Sequence, residues 1–152
     1  MATDRTHDSD RSPAQWYALI FGATLLAAGI LGFIADSSFG NLGSDVQGDE
    51  LIAFEVNGWH NIVHILSGLL GLATWRNPAS ARVYALGFGI VYLLVTIWGF
   101  AVGDQVLFGL LPVNTADNVL HLLISIAGIA AGLVSDPRRY GATTTGDRSY
   151  AA

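Results

Sequence analysis

The sequence predicts an all-α protein: an integral membrane four-helix bundle made of two tandem parallel two-helix repeats. Three observations lead there. Four long stretches carry no charge, every arginine falls in alternate connecting segments, and the two halves of the chain match each other at polar as well as apolar positions.

Charge is scarce. Of 152 residues, 52% are hydrophobic and 12% charged, where a soluble domain carries about a quarter charged residues. Mean hydropathy is +0.48. No cysteine is present, so a disulfide framework, a thiolate metal site and a cysteine nucleophile are all excluded. Net charge is −5 and lysine is absent, so no basic face exists to bind nucleic acid.

The uncharged stretches set the helices. There are 24 residues between Arg11 and Asp36, 20 between Glu55 and Arg76, 21 between Arg82 and Asp104, and 18 between Asp117 and Asp136. A spanning helix needs roughly 20 apolar residues, and about 17 suffice. The spans are expected near 16–35, 59–75, 83–103 and 117–135, forming one domain over 16–135. The polar ends, 1–15 and 136–152, are expected to be disordered cytoplasmic tails. The first apolar run exceeds the roughly 7–15 residues of a signal-peptide core.

Orientation follows from the seven arginines. Arg5, Arg11, Arg76, Arg82, Arg138, Arg139 and Arg148 sit in the two tails and the middle loop. The other two loops carry Asp36, Asp45, Asp49, Glu50, Glu55 and Asp104 and no arginine. The positive-inside rule puts both termini and the middle loop in the cytoplasm. The expected location is the inner membrane, crossed several times. Trp16, Tyr17, Trp75 and Tyr84 fall at the expected inner interface and Trp59 at the outer one.

The repeat is direct. Tyr17-Ala18-Leu19-Ile20-Phe21-Gly22 opens the first span and Tyr84-Ala85-Leu86-Gly87-Phe88-Gly89 the third; Leu26, Ile30, Gly32 and Phe33 recur as Leu93, Ile97, Gly99 and Phe100. Val56-Asn57 through Leu66 likewise aligns with Val113-Asn114 through Leu123, pairing Asn61 with Asn118 and His64 with His121. Apolar identities are common between membrane spans, but two asparagines and a histidine at one spacing are not. Each unit holds two spans, so the copies share an orientation, unlike inverted transporter repeats.

The polar positions form stripes. Asn57, Asn61, His64, Gly68 and Gly71 follow each other by steps of 4, 3, 4 and 3, as do Asn114, Asn118, His121, Ser125 and Gly128. That period keeps them on one helix face. Small residues let helix backbones approach, and polar ones hydrogen-bond across the interface, so both stripes are expected to face the interior. Asn57 and Asn114 sit where helix N-caps belong.

The histidines admit three roles. A neutral imidazole is interhelical glue, a ligand of haem or a divalent metal, or part of a solute path. His60 precedes His64 by four residues, and Asp117 is its counterpart in the second unit. His60, His64, Asp117 and His121 together make a chemically reasonable metal set, although Asp117 also reads as a solvated, helix-starting acid. The apolar loop segments 51–56 and 106–113, too short to span, are expected either to lie flat on the outer surface or to tuck over the bundle mouth, where they would shield this layer.

Gly32-Phe33, Val-Asn-x-x-His-Asn-x-x-His at 56–64, and Leu-Pro-Val-Asn-Thr-Ala-Asp-Asn-x-Leu-His at 111–121 resemble a bacterial, mainly actinobacterial membrane family, domain of unknown function 4383, over about residues 15–135. The resemblance implies a four-helix inner-membrane protein and no particular activity. There is no HExxH, Walker motif, GxGxxG or Ser/His/Asp set, so an enzyme is not expected. The leading expectation is a structural or accessory protein with no cofactor, partnered by the bilayer and by further copies or other membrane subunits. The alternatives are a haem- or metal-binding protein using His64 and His121, and a small-solute channel or carrier.

Overall fold

The computed structural model describes residues 11–40, 43, 48–102 and 106–140. In order these form α1 (Pro13–Ala35), β1 (Asp49–Leu51), β2 (Phe54–Val56), α2 (Gly58–Thr74), α3 (Pro78–Val102), β3 (Val106–Leu107), β4 (Leu111–Pro112), α4 (Thr115–Val134) and α5 (Pro137–Tyr140). The protein is all-α, a membrane four-helix bundle whose strands are two short hairpins.

Helix ends follow local chemistry. Ser12 caps α1 through a capping box with Gln15, and Pro13 takes the first turn, where its missing N–H costs nothing. This box starts α1 ahead of residue 16, so residues 13–15 are helix rather than tail. At the other end, Pro137–Tyr140 forms one helical turn within the expected second tail. Residues 1–10 and 141–152 of the expected tails lie outside the described residues. Asn57 caps α2 and Asn114 caps α4, as their positions indicate.

The bundle is two helix pairs, α1 on α2 and α3 on α4. Glycine makes both contacts close. A β-carbon on Gly22 would press on the backbone of Gly68, Gly71 and Leu72, and one on Gly89 on Ser125 and Ile129. The two pairs meet along Ala14, Tyr17 and Ala18 of α1 and their repeat counterparts Ala81, Tyr84 and Ala85 of α3, all buried.

Polarity is distributed as a bilayer requires. Asn57, Asn61, Thr96, Asn118 and Ser125 are buried, while Ile34, Leu66, Leu94, Leu123 and Leu133 are exposed. Three helices, α1, α3 and α4, are long and apolar enough to cross a membrane. With 17 residues α2 is shorter, about 26 Å at 1.5 Å per residue.

The apolar loop segments are antiparallel hairpins. Asp49 pairs with Val56 and Leu51 with Phe54; Val106 pairs with Pro112 and Leu107 with Leu111. Val56, Leu107 and Val113 are buried, so the hairpins pack over the bundle mouth. Their tips point outward: Ile52 is 90% exposed and Phe108 62%. Ile52 holds a φ of 66°, a costly conformation for a β-branched residue. The arginine-bearing segments gather at the opposite end. Arg11 stacks over Trp75 at 4.2 Å, the Arg82 Nε donates to the Gly132 carbonyl at 3.0 Å, and Gln15 Nε2 donates to the Arg76 carbonyl at 3.2 Å.

Candidate functional site

Under the hairpins, three histidines converge. The first two turns of α2 carry His60 and His64 one above the other, and α4 brings His121 alongside. Ring centroids are 4.4 Å apart for His60 and His64 and 6.4 Å for His60 and His121. Each ring offers one nitrogen such that all three lie within 4.8 Å of one another. His60 and His121 are buried, 3% and 5% exposed.

Hydrogen bonding sorts the ring nitrogens. His60 Nδ1 lies 2.9 Å from the Glu55 carbonyl. A carbonyl only accepts, so Nδ1 carries the proton there, and the Pro112 carbonyl is a second backbone partner of this ring. His64 Nδ1 and His121 Nδ1 are buried with no hydrogen-bond partner among the described residues. The Tyr92 ring meets His121 edge-on at 4.9 Å.

Asp117 is not part of the convergence. Its Oδ2 accepts the Asn114 amide at 3.0 Å and the Glu55 amide at 3.0 Å. As the third residue of a capping box it closes the N-terminus of α4 and ties it to the first hairpin. Two amide donors stabilise the carboxylate where it stands. Of the four residues grouped from the sequence, the structure brings His60, His64 and His121 together.

The asparagines of the stripes serve the frame. Asn57 Oδ1 accepts the His60 amide at 2.9 Å and Asn114 Oδ1 the Asp117 amide at 3.0 Å. Their amide nitrogens cross between units: Asn57 Nδ2 donates to the Leu110 carbonyl at 2.9 Å, and Asn114 Nδ2 to the Ala53 carbonyl at 3.0 Å. Asn61 and Asn118 lie one turn further in. Each places Oδ1 where a β-carbon of Gly32 or Gly99 would stand, and Asn61 Nδ2 donates to the Asp36 carbonyl at 2.8 Å.

An apolar cleft of about 440 Å³ leads to the histidines. It runs between α1 and α4 under the first hairpin, walled by Thr24, Ala27, Ala28, Leu31, Phe54 and Leu120, and reaches His64, Tyr92, Asp117 and His121. In the second unit Leu94, Val95 and Trp98 stand at the places of Ala27, Ala28 and Leu31, and the lateral depression they line does not reach a histidine. Reading the stripes alone misses Tyr92 and the two alanines. The visible signal is where the repeats disagree: large residues on α3 become alanine on α1.

No curated protein and no solved structure matches the chain. A family model matches residues 15–134, nearly all of the four-helix core just described, and the chain belongs to the family described as Domain of unknown function (DUF4383).

Proposed function

We propose that this is a multi-pass inner-membrane protein, with both termini cytoplasmic, that holds one divalent first-row metal ion on His60, His64 and His121. The convergence of three imidazole nitrogens within 4.8 Å carries the reading. His60 supports it further, since a ligating histidine commonly donates its other N–H to a backbone carbonyl, as Nδ1 does toward Glu55. Imidazole suits zinc, copper, nickel and iron. Zinc–nitrogen bonds of about 2.0–2.1 Å place tetrahedral ligands about 3.4 Å apart, so the rings close in by up to roughly 1.5 Å on binding.

The competing reading is the accessory one, in which the histidines are glue. Glue makes hydrogen bonds, and Nδ1 of His64 and of His121 makes none among the described residues. Haem fits less well than an ion, because His60 stands beside both other rings and leaves no plane between them for a macrocycle. A carrier needs a continuous polar path. Toward the arginine-bearing end the bundle is closed by backbone contacts at Gly22, Gly68 and Gly71.

The orientation rests on arginine segregation. All four helices then cross, with α2 at the short limit and the hairpins on the outer face.

Metal analysis of detergent-purified protein tests the site. We expect about one ion per chain, the stoichiometry of a three-histidine centre, and visible bands of tetrahedral cobalt after Co(II) exchange. His121→Asn should lose both. Wild type and His60→Asn/His64→Asn/His121→Asn binding equal amounts of metal would overturn it.

A further inference from the structure

We propose that the cleft between α1 and α4 is a binding site for a long-chain neutral alcohol, alkyl or isoprenoid, taken directly from the bilayer with its hydroxyl against His64, His121 and Asp117. The cleft, about 440 Å³, lies in the usual size range of roughly 300–1,000 Å³ for small-molecule sites. Its walls are apolar, while its inner end gathers two imidazoles and a carboxylate. An apolar body with a few convergent polar groups is the pattern of a ligand pocket.

Its mouth faces lipid. Ala27 and Leu31 on α1 and Leu120 on α4 are exposed on the membrane-facing side, and Ile52 at the hairpin tip stands over them. A chain can therefore lie along the wall and continue into the bilayer, so the cleft need hold only the head and its first carbons.

The inner end selects the head group. His121 is 5% exposed, with Nδ1 unpartnered among the described residues. Neutral imidazole supplies one donor and one acceptor, and a carboxylate accepts. A hydroxyl both donates and accepts, so it matches this set; a hydrocarbon end leaves the polar atoms unpaired. No arginine lines the cleft, and an anionic head would meet the Asp117 carboxylate. These features disfavour fatty acids and phosphate esters. The site deepens the metal reading without depending on it. A hydroxyl oxygen can take the fourth position of a three-histidine ion, and it can hydrogen-bond the imidazoles when no ion is bound.

The repeat supplies the test. Ala27→Leu with Ala28→Val copies Leu94 and Val95 of the second unit, side chains this frame already carries at equivalent positions. Purified protein, metal-loaded and chelator-treated, is photolabelled at pH 8 with a diazirine-bearing hexadecanol, and labelled peptides are mapped. We expect labelling of α1 and α4 in both metal states. Unlabelled hexadecanol should compete, and palmitate and hexadecane should not. The double variant should lose the label while keeping its thermal midpoint and metal content. Full labelling of that variant, or equal competition by all three compounds, overturns the proposal. Labelling that persists in a protein found to bind no metal upholds the alcohol site and removes the metal reading alone.

Discussion

Tyr17 and Tyr84 each close the other unit. The Tyr17 hydroxyl donates to the Ile124 carbonyl on α4 at 3.1 Å, and the Tyr84 hydroxyl donates to the Ser67 carbonyl on α2 at 3.2 Å. Ser67 and Ile124 are equivalent positions in the alignment that pairs His64 with His121. The sequence repeat is thus a repeat of contacts, related by a pseudo-two-fold axis.

Removing either hydroxyl should cost the same. Tyr17→Phe and Tyr84→Phe each delete one interhelical hydrogen bond, and each should lower stability by about 0.6–2 kcal/mol. Unfolding in detergent measures it. A loss in one variant and none in the other would refute the symmetric arrangement.

Gly32→Ala and Gly99→Ala should be strongly destabilising, because the new methyl group overlaps Asn61 or Asn118 Oδ1. Shortening the partner should relieve it, so Gly32→Ala/Asn61→Ser should recover part of the loss and show non-additivity in a double-mutant cycle. Gly87 is the control. A β-carbon there meets nothing within 4 Å, and Gly87→Ala should be neutral or stabilising by up to about 1 kcal/mol.

Large residues at the helix crossings should be worse. Gly71→Leu would strike Ala18 and Tyr84, and Gly128→Leu would strike Ala85 and Tyr17. A change at Leu70, which is 55% exposed, should be mild. Equal thermal midpoints for all three would contradict the packing.

Metal removal should destabilise the wild type and leave His121→Asn unchanged. A ligand held at 100 times its dissociation constant adds about 2.7 kcal/mol. Thermal scans with and without chelator compare the two proteins. The same midpoint shift in both would place any metal elsewhere.

Reporter fusions after residues 12, 79 and 140 should read cytoplasmic, and fusions near 45 and 105 external, because every arginine lies in the first group of segments. An external reading at 79 would remove the four-span topology.

The helices, their pairing and the interior face of both stripes were legible because bilayer burial writes itself as long uncharged runs, and helix packing as small residues at a fixed step. The hairpins were not. Leu51–Val56 and Val106–Val113 are too short for a clear alternation, and each hairpin is also bonded by an asparagine reaching across from the other unit. The histidine layer was legible as a set of residues but not as a geometry. His60 and Asp117 align in the repeat, yet one turns toward the cluster and the other toward two amides. That choice depends on the hairpin backbone at Glu55, which no helical spacing encodes.

The crossed bonds of Asn57 to Leu110 and Asn114 to Ala53 also bear on how the protein is made. A chain is made from its N-terminus, so α1, the first hairpin and α2 are synthesised before α4 exists. Until then the Ala53 carbonyl lacks the Asn114 amide, the Glu55 amide lacks Asp117, and Asn57 Nδ2 lacks Leu110. These three latches close only when the second half of the same chain has been made.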